Sequence, residues 1–126
     1  MRQTKTLTSK KKALIIAEAA LDKKAEDVVI MKMKKLTTIC EYFVICSANT
    51  ERQTKAIADS IIDSLKDSSV KSMRVEGYNE ASWIVLDCND VVAHIFRGDL
   101  RKFYNLEHLW ADAPKNMLTE ESVKKT

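Results

Sequence analysis

Apolar residues recur at helical spacing in three stretches of the chain and run continuously or alternate in five others. Leu14, Ala17 and Leu21 form one stripe, which predicts a first helix capped by Thr8 or Ser9 and reaching Asp22 or Lys23. Thr50-Glu51-Arg52-Gln53 has the form of a capping box, with Thr at the cap and Gln three residues on. Behind it Ile57, Ala58, Ile61 and Leu65 predict a second helix from about Glu51 to Lys66. Leu100, Phe103 and Tyr104 mark the inner face of a third helix, "LRKFYNLEHLW", with Asp99 as its cap. The β-rich runs are Asp27–Met33, Tyr42–Ser47, Val70–Glu76, Trp83–Asp87 and Asp90–Phe96. "YFVIC" is apolar throughout, as expected of a central strand, and "VKSMRVE" alternates like an edge. The order α-β-β-α-β-β-β-α predicts a two-layer α/β sandwich, a small mixed sheet of about five strands with helices packed on it.

At 126 residues the chain is a single domain, long enough to bury about two-thirds of the surface its unfolded form exposes. Residues 1–9 read as a mobile leader, 10–114 as the folded body and 115–126, beyond Pro114, as a polar tail. No apolar run approaches membrane-spanning length and no signal-peptide core follows the first residues, so no membrane partner is expected and the protein is placed inside a cell.

Polar chemistry concentrates in "LDCNDVVAHIF", Leu86–Phe96, where two carboxylates, a thiol and an imidazole lie close together. A hairpin with Cys88-Asn89 as its two-residue turn accounts for the stretch, because Asn tolerates the positive φ of such a turn. That register pairs Asp87 with Asp90, Leu86 with Val91, Val85 with Val92, Ile84 with Ala93 and Trp83 with His94. One face then carries Ile84, Leu86, Val91, Ala93 and Ile95 and belongs under the helices. The other carries Trp83, Val85, Val92, His94 and both aspartates, a mixed aromatic and polar surface of the kind that meets another protein.

Sharper chemistry does not assemble. Cys88 at the turn and His94 well down the strand are too far apart to share a zinc ion or form a nucleophile–base pair. Asp87 and Asp90 lack the further ligands a divalent cation needs. Two glycines, Gly77 and Gly98, build neither a P-loop nor a dinucleotide fingerprint. Cys40, Cys46 and Cys88 are odd in number and form no CxxC pair, which suits a reducing compartment. No metal, cofactor or catalytic residue is therefore expected.

Charge narrows the partner. The formal net charge is +3, but Arg2, Lys5, Lys10, Lys11 and Lys12 precede Ala13 with no acid among them. From Ala13 to Ala113 thirteen basic residues face sixteen acidic ones, a net −3, and from Glu76 to Asp112 three face seven, a net −4. Such a body is a poor match to phosphate backbones, DNA included, and a better one to a basic protein surface. Only the basic amino-terminal tail is left to touch nucleic acid, and a short lysine run of that kind is usually just a solvated tail.

The motifs "ADSIIDSLKDS", "VEGYNEASWIVLDCNDVVAHIF" and "RKFYNLEHLWADAP" resemble those of the ribosomal silencing factor family, also called Iojap-like proteins. The resemblance runs from about Ala13 to Pro114. It rests on Glu76-Gly77, Trp83, Leu86-Asp87, Asp90-Val91-Val92, His94 and Phe96, then Phe103-Tyr104, Leu106-Glu107 and Leu109-Trp110. Two positions depart: Ala48 follows Ser47 where a Gly is common, and Cys88-Asn89 stands where Tyr-Gly is usual. The resemblance implies a nucleotidyltransferase-like fold without that chemistry. It also implies binding to a basic protein on the joining face of the large ribosomal subunit, which blocks the small subunit and represses translation. The expected contact residues are Trp83 as anchor, Asp87 and Asp90 against cations, His94 in support of Trp83 or as a hydrogen-bond donor, and Tyr104, Glu107, Trp110 and Asp112 completing the patch. The competing readings are a nucleotidyltransferase enzyme and a homodimer using the same face. The bacterial cytoplasm is the expected location, with an organelle left open.

Overall fold

A computed structural model describes residues 8–33, 40–70, 73–109, 111 and 113–118. Helix α1 spans Ser9–Asp22, and the Thr8 side chain caps it by accepting the Lys11 N–H. Strands β1 (Glu26–Lys32) and β2 (Tyr42–Ala48) follow, then helix α2 (Glu51–Asp67). Thr50 caps α2 by accepting the Gln53 N–H at 3.1 Å, while the Gln53 side chain reaches back to accept the Asn49 N–H. Beyond α2 come β3 (Arg74–Glu76), β4 (Trp83–Asp87), β5 (Val91–Arg97), α3 (Gly98–Tyr104), α4 (Leu106–Leu109) and β6 (Lys115–Leu118).

The strands form one mixed sheet in the order β3-β4-β5-β2-β1-β6. Only β2 and β5 are parallel; the other neighbours are antiparallel. Helices α1 and α2 cover one face, where Ile16, Ile57, Ile61 and Leu65 pack on Val28, Val44, Ile84, Leu86, Val91 and Ile95. Each such large aliphatic side chain contributes about 1.5–3 kcal/mol by leaving water. The α/β sandwich expected from the sequence is thus the observed architecture.

Three local features differ from the sequence reading. The sheet gains a sixth strand, because Lys115–Leu118, read as the start of a polar tail, pairs with β1. The third helix is broken in two by Asn105, whose φ of 45° lies in the left-handed region that Asn tolerates better than most residues. Asp99 does not cap it; Arg97 holds that position, and Asp99 instead forms a forked ion pair with the Arg97 guanidinium. The second sheet face is also less open than expected. Val29, Met31, Ile45, Val92 and Phe96 form a second apolar cluster there, against which Leu100 and Leu106 of α3 and α4 pack.

Candidate functional site

The β4–β5 hairpin is built as the alternation requires but is shifted by two residues from the expected pairing. Asp87 faces Val92, Val85 faces His94 and Trp83 faces Phe96. The two-residue turn is Asn89-Asp90, closed by the Cys88 N–H on the Val91 carbonyl at 2.9 Å, and Asn89 adopts the positive φ, 77°. A two-residue shift preserves which side chains share a face, because the period of a strand is two. Ile84, Leu86, Val91, Ala93 and Ile95 are accordingly buried under the helices, and Trp83, Val85, Val92 and His94 share the opposite face. Cys88, expected at the turn tip, is instead buried beside the helices, and burial pushes its thiol up to about 11.

Trp83 is partly exposed and tightly framed. Its ring stacks on Phe96, with centroids 5.0 Å apart and planes 24° from parallel. Its indole N–H donates to Nδ1 of His94 at 3.2 Å. His94 is 7% exposed and meets the Phe43 ring edge-on at 4.7 Å. Burial among these rings pushes its pKa down to about 4, so the imidazole is neutral near pH 7. With Nδ1 accepting, the proton sits on Nε2, which is buried and has no hydrogen-bond partner among the described residues. Trp83 is therefore held in one orientation by a hydrogen bond and a stacked ring, with part of its surface left to solvent.

The two aspartates are separated rather than paired. Asp87 lies on the Trp83 face and accepts the Asn89 N–H at 3.0 Å, which closes the turn. Asp90 departs from the expected placement: its carboxylate turns to α1, accepting from Lys12 Nζ at 2.6 Å and from Ser9 Oγ at 2.5 Å. Partial burial works against its ionisation, but the Lys12 and Ser9 hydrogen bonds and the Lys12 charge outweigh that, and its pKa is lowered. The sequence reading missed this link because it joins residues 78 apart in the chain. The acid-free lysine run before Ala13 was its only trace.

Of the carboxy-terminal candidates, Tyr104 falls on α3 and Glu107 on α4, with side chains outside the described part; Trp110 and Asp112 lie outside the described residues. Arg101, unremarked in the sequence, is 9% exposed and donates to the Asp27 carbonyl at 2.7 Å and to Ser47 Oγ at 2.8 Å. Asp27 sits in a bulge between Glu26 and Val29, so Arg101 takes up a carbonyl at an interrupted stretch of the ladder and ties α3 to the sheet. Among the described residues no group of three or more His, Cys, Asp or Glu is placed to hold a metal ion, and no helix is long and apolar enough to cross a membrane.

A family model described as "Ribosomal silencing factor during starvation" matches residues 6–126. The chain is 42% identical over 107 residues to Ribosomal silencing factor RsfS of Bacillus subtilis, covering 84% of this chain and 91% of that protein. A crystal structure of a Bacillus halodurans protein superposes with a TM-score of 0.76 at 38% identity, covering 86% of this chain and 99% of the other. One of a Chromobacterium violaceum protein does so with a TM-score of 0.81 at 28% identity, covering 83% and 88%.

Proposed function

The chain belongs to the ribosomal silencing factor family, and from that premise we propose that it docks on the large ribosomal subunit and sterically blocks the small one. The family assigns it a ribosome-associated role in silencing translation; the docking face and the steric mechanism are the further steps. The observation that supports them is the fixed, partly exposed indole of Trp83, held by His94 and Phe96, with the Asp87 carboxylate further along the same face. A partner loses little freedom in meeting an anchor that is already immobilised, and aromatic anchors of this kind dominate protein interfaces. Asp87 gives the face its negative charge and favours a basic ribosomal protein as the counterpart. His94 acts behind Trp83 rather than on the partner. Asp90 serves the fold, since its charge is met by Lys12. Tyr104, Glu107, Trp110 and Asp112 extend the proposed face at its carboxy-terminal side.

The reading requires no bond to be made or broken: the bound domain occupies space that the small subunit needs. The nucleotidyltransferase alternative needs two carboxylates converging on magnesium, whereas Asp87 and Asp90 turn to opposite sides of the hairpin.

The test is co-sedimentation with isolated large subunits, paired with light scattering of subunit joining. Wild-type protein is expected to pellet with large subunits and slow joining. Trp83→Ala should weaken binding by about tenfold or more, the scale of a buried aromatic hot spot, and Asp87→Lys should weaken it further at low salt than at high. Undiminished binding by both variants would discard this face.

A further inference from the structure

A cleft of about 120 Å³ opens between the first turns of α1 and the end of the sheet where β1, β2 and β6 meet. Its rim carries three lysines, Lys10, Lys32 and Lys115, and its lining includes Leu14, Tyr42 and Pro114; no acidic residue lines it among the described residues. Lys10 and Lys32 are exposed and have no ion pair or hydrogen bond among the described residues. The Lys115 ammonium is held in place by the Ala111 and Ala113 carbonyls, at 3.1 and 3.0 Å.

Three cations around one hollow repel one another in the free protein. The helix adds to this cost. Lys10 and Lys11 stand in the first turn of α1, where the macrodipole is positive and where acids are favoured, and that turn contains none. Lys12 is neutralised by Asp90, whereas Lys10 faces the cleft. An anion seated there relieves both penalties at once.

Size and lining identify the anion. Clefts that take a free small ligand run on the order of 300–1,000 Å³, so this one is too small to hold a nucleotide by itself. It accommodates one phosphate with its sugar or base edge against Tyr42, the pairing of lysines with an aromatic surface that nucleic-acid grooves use. So weak a contact matters only when a larger docking event supplies a high local concentration.

We propose that this cleft is a second contact to the large subunit, receiving a phosphate group of ribosomal RNA while the Trp83 face meets protein. The proposal rests on the large-subunit reading above. The cleft lies on the helix-covered side of the sheet and the Trp83 face on the other, so the two contacts would be made around one end of the sheet. Lys32 pairs with Tyr42, Tyr42 with Val91, and Asp87 with Val92, so the cleft and Asp87 lie at one end of the sheet. An acidic site and a basic one at the same end of the sheet, on its two faces, match a partner in which a basic protein adjoins RNA.

The test compares the full chain with the triple variant K10Q/K32Q/K115Q and a charge-matched control, K23Q/R52Q/K66Q, altered at exposed positions away from the cleft. All three are first checked for equal folding by circular dichroism. Binding to isolated large subunits and to a short labelled single-stranded RNA is then measured across a salt series. The cleft variant should lose at least about tenfold in affinity for both, with the slope of log K on log salt reduced by about one, the value of one phosphate contact. The control should change by no more than about twofold. Equal losses in cleft variant and control on both probes would overturn the proposal, as would displacement of the RNA by micromolar free nucleotide or by polyglutamate of equal charge. If wild-type protein binds no subunits, the large-subunit reading fails, and the RNA oligonucleotide arm alone decides the cleft. An unchanged affinity there for the cleft variant overturns it, and a selective loss sustains it.

Discussion

Acidification should remove stability through one residue, His94. Its folded pKa lies near 4, against about 6.5 for an unperturbed imidazole, because its charged form would be buried among Trp83, Phe43 and Phe96. Protonation at Nδ1 would also set an N–H against the Trp83 N–H that now donates to it. The sign follows from proton counting. Above about pH 6.5 neither state binds the proton, and the contribution is fully present. Between that value and about 4 the unfolded chain takes up a proton that the folded one refuses, so stability falls as pH falls. With these two pKa values the loss amounts to about 2 kcal/mol near pH 5 and about 3 kcal/mol near pH 4. Urea unfolding followed by far-UV circular dichroism near pH 7.5, 6 and 5 measures it in the wild type and in His94→Gln, which cannot titrate. The variant is less stable throughout but should show the flatter dependence, and the difference between the two curves isolates His94 from every carboxylate and from His108. Parallel curves between pH 7.5 and 5 would refute the burial argument and with it the neutral imidazole behind Trp83.

Two further substitutions test the framework around this site. Gly77 has a φ of +78°, and a methyl group there would run into the Trp83 carbonyl, so Gly77→Ala should cost about 2 kcal/mol or more in denaturant unfolding, well above an ordinary exposed substitution. Asp90→Ala removes the carboxylate to which Lys12 and Ser9 donate, leaving Lys12 the Cys88 carbonyl, and should cost about 1–2 kcal/mol near pH 7. Because the Asp90 pKa is lowered, that contribution is present above the ordinary carboxylate range and fades as pH falls through the folded value, where the wild-type and variant curves should converge.

In the proposed docking the two faces of the β4–β5 hairpin have different parts. The helix-side residues Ile84, Leu86, Val91 and Ile95 are fully buried and make the hairpin rigid. The opposite side carries Trp83, whose usefulness as an anchor depends on that rigidity. The Asp90 link to α1 adds a second constraint, since it ties the hairpin turn to the amino-terminal helix that borders the lysine cleft.

Periodicity and local chemistry were enough for the two long helices and the hairpin, but not for the third helix, which Asn105 breaks in two and Asp99 does not cap. Both long helices, the Thr50 cap, a first cap at Thr8 or Ser9, the limits of Trp83–Asp87 and the two-sided hairpin are determined in this way, because capping and alternation act over a few residues. The registers and the distant pairings were decided by the tertiary structure alone. A hairpin slipped by two residues presents the same faces, so alternation could not distinguish Asp87–Asp90 from Asp87–Val92. The loss of Asp90 to Lys12, the seating of Trp83 on His94, the β6 strand at Lys115–Leu118 and the convergence of Lys10, Lys32 and Lys115 each join residues far apart along the chain. Hydrophobic pattern specifies which side of an element is buried; what that side meets is settled only when the sheet closes and loop entropy has been spent on contacts of long sequence separation.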